Sequence, residues 1–467
     1  DGDLDMYQVS QMPDKKLLLF NKLNKIDLPY LKDHLYRNDN GKFIEVSKEA
    51  GISQKETYGL SVNISDFNND GWMDIYVAND YTEPDFLYYN NGNGTFENVT
   101  QQNIKHMSQN SMGSDTGDVN NDGLIDIITT DMTPSDHYRS KMNMATMSTE
   151  NFEDIVSRTG SYQYMANALQ INNGLGNFSD IGNLSGIAYT DWSWSSLIVD
   201  LDNDGLKDIF VTNGIKKDLD NNDYLKLLRS LDKNTNAEKL FKLSKNAPSQ
   251  KIPNFAFKNI GNFEFKKITK DWGLDTPSFS QGMAYGDLDN DGDLDLVVNN
   301  MEDKAFVYKN NANGNFIKIR PKGPVKNQFG IGTKGYVYFE GKEQVLENIV
   351  TRGYYSSVEP ILFFGLGKTK KIDSIKVVWH DGKTNFYSNI DANQEITAKY
   401  SKAKKRIYTN ESKTLFTNLY AKKVGLDFIH KENEYDDFKE EILLPHQLSK
   451  NGPFIASADI NNDGLDD

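Results

Sequence analysis

Asp287-Leu288-Asp289-Asn290-Asp291-Gly292-Asp293-Leu294-Asp295 is the stretch whose reading decides the fold. Oxygen-bearing side chains stand at its positions 1, 3, 5 and 9, and the glycine at position 6 permits a sharp turn. Ca²⁺ takes about six to eight oxygens, several of them from carboxylates, so a loop of this spacing with a carbonyl near position 7 can wrap it. The pattern recurs as Asp66, Asn68, Asp70, Gly71 and Asp74, as Asp118, Asn120, Asp122, Gly123 and Asp126, and as Asp200, Asp202, Asp204, Gly205 and Asp208. Another copy, Asp459, Asn461, Asp463, Gly464 and Asp467, closes the sequence, and Asp1-Gly2-Asp3-Leu4-Asp5 matches the tail of one more. A sequence that starts and stops inside such loops is expected to be an excerpt of a longer protein.

The residues C-terminal to each loop separate the calcium folds. An EF-hand places a bidentate Glu at position 12 and continues as a helix. Here position 12 is Val77, Thr129, Val211 or Val298, within runs of β-branched and aromatic residues that favour strands. Position 2 is apolar in every copy (Phe67, Val119, Leu201, Leu288, Ile460), which suits an anchor tucked under a sheet. Each loop therefore reads as the connection of a β-hairpin.

A second pattern trails each hairpin, an Asn/Gly-rich turn closing on Phe, as in Asn90-Asn-Gly-Asn-Gly94-Thr-Phe96 and Asn172-Asn-Gly-Leu-Gly176-Asn-Phe178. Asn and Gly supply the positive φ of tight turns. The unit is strand, calcium hairpin, strand, linker, strand, Asn-Gly turn, strand. Four strands per repeating unit is the plan of a β-propeller blade. From Asp66 to Asp118 the spacing is 52 residues, near that of a bare blade, whereas the next two spacings of 82 and 87 imply insertions. One falls near 132–168 and is Met-rich. The other falls near 215–253, where Thr235-Asn-Ala-Glu238 has the spacing of a capping box. Both are expected to be helical.

Composition narrows the function classes. The formal net charge is −15, and the loops at Asp66 and Asp118 hold three carboxylates each against four in those at Asp200 and Asp287. Much of the acidity is therefore candidate metal ligand, and more carboxylates favour tighter binding. An acidic chain without a basic-aromatic patch does not suit nucleic acid. The absence of cysteine excludes disulfides, thiolate metal sites and a Cys nucleophile. No apolar run reaches the ~18 residues of a membrane span.

These loops and turns resemble the FG-GAP/VCBS repeats of integrin-type propellers, over about five blades in residues 1–320. The next segment, 325–400, carries Asn327-Gln-Phe-Gly330-Ile-Gly332, Arg352-Gly-Tyr354, Phe364-Gly-Leu-Gly367 and Val377-Val-Trp379-His-Asp-Gly382. It resembles the ASPIC/UnbV domain, which in cartilage acidic protein-like proteins sits behind such a propeller. The resemblance implies an all-β chain: an incomplete propeller, then a small antiparallel β-sandwich at 325–400. A polar linker at 401–413 and the start of a second propeller at 414–467 complete the expected order.

Catalytic signals are weak. Asp115-Thr116-Gly117 spells the aspartic-protease triplet but occurs once and abuts a calcium loop. The six histidines show no His-Glu-x-x-His spacing, and no Gly-x-Ser-x-Gly or phosphate loop occurs. Position 14 of the repeats is Asn79, Asp131, Asn213 and Asn300, with Asp80 beside the first. These residues end the second strand on the face opposite the hairpins. They are either strand-end caps or a partner-binding rim. Two functions fit these observations. One is a calcium-stabilised extracellular or cell-surface binding or adhesion module for a protein or glycan, since extracellular calcium modules work at ~10⁻⁴–10⁻³ M. The other is an accessory or catalytic domain of a polysaccharide-processing surface enzyme.

Overall fold

The computed structural model describes the chain except for residues 1, 12–30, 56, 82, 144–148, 175, 232–234, 406–424, 426–427, 442–443, 445–446, 451–455, 460–463 and 465–467. Among the described residues, five antiparallel sheets repeat one plan. Blade 1 comprises Met6–Gln8, His34–Asp39 and Lys42–Glu45. Blade 2 comprises Gly59–Ser65, Asp74–Asn79, Phe86–Asn90 and Phe96–Asn98. Blade 3 comprises Ser114–Gly117, Asp126–Thr129, Ala168–Asn172 and Phe178–Asp180. Blade 4 comprises Ser193–Val199, Asp208–Asn213, Phe255–Asn259 and Phe265–Lys267. Blade 5 comprises Ser280–Gly286, Asp295–Asn300 and Phe306–Tyr308. Among the described residues no sheet closes on itself, and each complete loop in blades 2 to 5 joins the first strand of its blade to the second.

Successive blades pack face to face because their strands are apolar on both sides. Phe67, Tyr76 and Leu87 of blade 2 meet Ile125, Ile127 and Phe178 of blade 3. Val119, Ile128 and Leu169 then meet Ile198, Ile209 and Phe257 of blade 4, and Leu197, Phe210 and Ala256 meet Met283, Leu296 and Val298 of blade 5. The position 2 residues Phe67, Val119 and Leu201 are buried in these seams, as anchors should be. Leu288 is the exception at 57% exposed, and Ile460 lies outside the described residues.

Helices occupy both long excursions: His137–Met142 and Thr149–Thr159 in the first, Asn222–Arg229 and Ala237–Lys245 in the second. The last of these starts one residue later than the capping-box spacing suggests. Asn236, not Thr235, caps it, accepting from Lys239 N at 2.9 Å.

The strand Asn315–Lys322 leaves blade 5 and enters a sandwich. It lies between Leu362–Gly367, antiparallel, and Gln394–Lys399, parallel. Opposite stands a five-stranded sheet containing Lys334–Phe339, Lys342–Glu347, Lys371–Val378 and Lys383–Asp391. Ile317, Val337, Phe364, Ile375 and Trp379 fill the space between. The expected antiparallel sandwich is thus corrected at one pairing, because the entering and final strands run the same way. It does not stand apart from the blades either, since Asp1–Arg406 forms one compact unit.

A short hairpin, Thr351–Arg352 with Ser356–Ser357, leaves the sandwich and lies along the first strands of the blades. Tyr354 N donates to Ser195 Oγ of blade 4 at 3.0 Å, and Met283 N of blade 5 donates to Ser356 Oγ at 3.0 Å. Arg352 pairs with Asp115 of blade 3, its Nη2 2.7 Å from Oδ2, and also donates to Ile198 O at 3.0 Å. Tyr354 packs on Leu60 of blade 2 and on Trp194. The hairpin is therefore an axle around which the inner strands gather.

Residues Ile407–Asp467 form a second unit. Its described parts include a helical turn Asp437–Glu440 capped by Asp436. Of the linker expected at 401–413, only the part up to Lys405 is described.

Candidate functional site

Backbone hydrogen bonds shape each acidic loop. The position 1 carboxylate accepts the amides of positions 5 and 6, at 2.9 and 2.9 Å on Asp66, 3.1 and 2.9 Å on Asp118, and 3.2 and 2.9 Å on Asp200. Asp287 accepts Gly292 N at 3.0 Å. The position 9 carboxylate accepts the position 2 amide of its own loop and the amide of the Asn that ends or directly trails the third strand. On Asp74 these are Phe67 N at 2.9 Å and Asn90 N at 2.8 Å. The same pair of bonds forms on Asp126, Asp208 and Asp295. Position 4 is Asn with φ of 57° to 61° (Asn69, Asn121, Asn203, Asn290), so two left-handed residues, Asn and then Gly at 6, turn each loop inward.

The donor set fits a hard cation. Carboxylate oxygens of Asp200, Asp202 and Asp208 lie within 4.8 Å of one another, as do those of Asp287, Asp289 and Asp295. Asp202 Oδ1 and Asp287 Oδ1 are buried with no hydrogen-bond partner, and the Asp287 side chain is only 4% exposed. Burial, with added repulsion from Asp66 and Asp70, pushes the Asp74 carboxyl up to about 7. Burial also pushes Asp118 up to about 6 and Asp200 to about 7. Buried carboxylates that repel one another are held ionised by a metal, which inverts the local charge balance. In the terminal copy Gly464 N donates to Asp459 Oδ2 at 2.8 Å, the same bond as in the other loops. Asn461, Asp463 and Asp467 lie outside the described residues. In the partial loop, Asn38 N donates to Asp5 Oδ1 at 2.8 Å, as position 9 requires.

Asparagines tie neighbouring loops together, a role that sequence reasoning missed. Asn172, Asn259 and Asn310 each send Nδ2 to the position 2 carbonyl of the preceding loop (Phe67, Val119, Leu201) at 2.7, 2.8 and 2.6 Å. Position 4 does likewise: Asn121 Nδ2 reaches Gly205 O at 3.0 Å and Asn203 Nδ2 reaches Gly292 O at 2.9 Å. The available signal was Asn at position 4 of every copy.

The strand-end residues make local capping bonds. Asn79, Asp80, Asp131, Asn213 and Asn300 are all buried. Asn79 Nδ2 donates to Pro84 O at 2.9 Å, Asn213 Nδ2 to Pro253 O at 2.7 Å, and Asn300 Nδ2 to Lys304 O at 2.8 Å. In return, the side chain ahead of the third strand accepts the position 14 amide: Asp85 from Asn79, Asn167 from Asp131, Asn254 from Asn213. Asp131 also accepts from Gln109 N and Asn110 N, and Asp80 from Tyr81 N. This reciprocal clamp supports the capping reading. Elsewhere in the blades, a cleft of about 680 Å³ opens beside the helix His137–Met142, lined by Tyr138, Arg139, Asp191, Gln250, Asn254 and Lys267. Arg139 is locked by Asp191 at 2.7 Å and Asp218 at 3.2 Å.

The sandwich sits on the acidic loops. Lys334 Nζ lies 2.8 Å from Asp66 Oδ2 and 3.1 Å from Glu347 Oε1. Burial would lower its pKa, but Glu347 and Asp66 outweigh that and raise it. Lys318 pairs with Asp287. Lys207 of the third complete loop, buried, donates to Gln344 at 3.1 Å, and Gly367 N donates to Asn203 O at 2.7 Å. A Cβ at Gly365 would come within 2.0 Å of Asp200 Oδ2, so only glycine allows this approach. As for catalysis, Asp115 of the Asp-Thr-Gly triplet is buried in its pair with Arg352.

Two family models match these parts of the chain. The FG-GAP-like repeat model matches residues 1–77, 66–129 and 151–211, which take in the loops at Asp66, Asp118 and Asp200. The ASPIC and UnbV model matches 323–405, the sandwich with its axial hairpin. The chain carries FG-GAP-like repeats followed by an ASPIC and UnbV domain. Among curated proteins it is similar to human cartilage acidic protein 1, 24% identical over 349 residues, which is 73% of this chain and 43% of that protein. The mouse protein of the same name is also 24% identical, with 73% of this chain and 44% of its own length covered. That of Xenopus tropicalis is 23% identical, with 72% and 44% covered. The chain thus spans less than half the length of these relatives. Among the described residues no helix is long and apolar enough to cross a membrane.

Proposed function

We propose that this FG-GAP and ASPIC/UnbV chain is a calcium-stabilised extracellular binding or adhesion module that recognises a protein or a glycan. The observation that carries the reading is the buried, unpartnered carboxylate oxygen in the loops at Asp200 and Asp287, set among carboxylates already positioned by backbone amides. Asp66, Asp118, Asp200 and Asp287 with their partners at positions 3, 5 and 9 would hold Ca²⁺, and the similarity to cartilage acidic protein 1 supports a place outside the cell. The loop face is covered by the sandwich, so a partner would meet the opposite face. The axial hairpin reaches toward that face, packing on Trp194 near the start of its strand, and carries Tyr355, 78% exposed, at its turn.

Thermal unfolding of the full-length protein with calcium and with a chelator tests the metal. The expected result is a midpoint at least several degrees lower in chelator, recovered on adding Ca²⁺ but not Mg²⁺, because binding to the folded state alone stabilises it. An unchanged midpoint overturns the reading.

A further inference from the structure

Resting on the calcium reading above, we propose that the sandwich sets the calcium affinity of two loops, through Lys334 at Asp66 and Lys318 at Asp287. Each lysine reaches a position 1 carboxylate, the residue that gathers the loop amides and would ligate the ion. Their side chains are 12% and 13% exposed. Neither can readily turn out to water. The strand of Lys334 is paired on both sides, and so is that of Lys318. Lys318 Nζ also lies 5.5 and 5.8 Å from the stacked rings of Phe316 and Phe363.

Other lysines near the loops differ. Lys309 pairs with Asp289 and Asp291, but its side chain is 61% exposed and can leave as an ion enters. Lys258, on the third strand of blade 4, pairs with Asp202 and Asp204; at 29% exposed it reaches positions 3 and 5, not position 1. Lys207 is buried and donates to Gln344. Its charge acts on Asp118 and Asp200 from beyond ion-pair distance, so it weakens an ion there less than a directly paired ammonium weakens one at Asp66 or Asp287. A Ca²⁺ bound by Asp66 or Asp287 therefore faces a fixed ammonium within a few ångströms, where the repulsion that weakens binding is strongest.

The four loops thus form two matched pairs. Asp66 and Asp118 each bring three carboxylates, Asp200 and Asp287 each bring four. Among the described residues, only Asp66 and Asp287 carry a buried sandwich lysine. Counting carboxylates alone ranks Asp287 with Asp200 and Asp66 with Asp118. The lysines make Asp118 tighter than Asp66 and Asp200 tighter than Asp287. By linkage, an ion in either weak loop pushes back on the seat of the sandwich by the same factor.

Hydrogen exchange read by mass spectrometry across a calcium titration of the full-length protein resolves each loop. Peptides covering 66–74 and 287–295 are expected to gain protection at calcium concentrations about tenfold or more above those for 118–126 and 200–208. Lys334→Met should lower the midpoint at 66–74 alone by about that factor, and Lys318→Met should do so at 287–295 alone. Lys334→Arg, which keeps the charge, should keep the wild-type midpoint, and so should Lys309→Met. If Lys334→Met does not fold, Lys334→Gln keeps a donor without the charge and should shift the midpoint equally. Equal midpoints within the matched pairs, or Lys334→Arg behaving as Lys334→Met does, overturn the inference while leaving calcium binding intact. Absence of calcium protection in every loop overturns the calcium reading beneath it.

Discussion

Asp85 shows how one residue of the repeat can be exchanged between blades. It stands ahead of the third strand of blade 2 and accepts from Asn79 N at 2.9 Å and from Ser111 Oγ at 3.0 Å. Blades 3 and 4 put Asn167 and Asn254 in that place. Burial pushes the Asp85 carboxyl from 3.8 up to about 7, against the hydrogen bonds from Tyr76, Asn79 and Ser111. A raised folded-state pKa contributes stability that is present at pH below 3.8 and lost as pH rises through about 7. Asp85→Asn keeps the acceptor and has no proton to lose, so its advantage over the wild type should grow between about pH 4 and 8. It should reach on the order of 2–4 kcal/mol in denaturant unfolding. A constant difference across that range would exclude the buried carboxylate as the cause. At this scale the candidate ligands were legible because their spacing is local. The Asn latches were not, for Asn90, Asn172, Asn259 and Asn310 lie 16, 46, 51 and 15 residues from the aspartates that receive their amides. Insertions hide so variable a distance, and an Asn opening a Gly-rich turn already has a sufficient local explanation.

Among elements, the acidic hairpins and four-strand units were readable for the same reason: β-branched runs, a polar turn and an apolar position 2 all lie within about a dozen residues. The axial hairpin was not. Its strands are two residues each, too short to show alternation, and its seat is made by inner strands far back in the chain. Arg352 is buried there, held by Asp115 and by the carbonyls of Ile198 and Thr116 at 3.0 and 3.3 Å. Arg352→Met should cost about 3–5 kcal/mol in denaturant unfolding, because it strands a buried carboxylate. Adding Asp115→Asn should recover a large part, since the two residues act as a pair. Equal losses in the single and double variants would mean that the stranded charge is not the cause. The parallel pairing of Asn315–Lys322 with Gln394–Lys399 escaped sequence reasoning in the same way, as a long-range match with no local signature.

For the molecule as a whole, sequence patterns pointed to blades and a sandwich but not to how they meet. The docking rests on individual contacts, Lys334 on Asp66 and glycines 365 and 367 on the loop at Asp200, that no periodicity marks. The same docking bears on the order in which the chain acquires its shape. Asp115 and Arg352 are separated by 237 residues, so a ribosome delivers blades 3 to 5 well before the hairpin around which they gather. Chains fold largely as they emerge, from the N-terminal end, and contacts between distant residues form late. The nascent blades must therefore wait as a loose arc with Asp115 uncompensated until the hairpin threads in. Pulse-labelled exchange during refolding should find the blade strands protected before residues 351–357, with the Arg352→Met variant losing only the late step. A hairpin protected first would reverse that order, and make it the template on which the blades assemble.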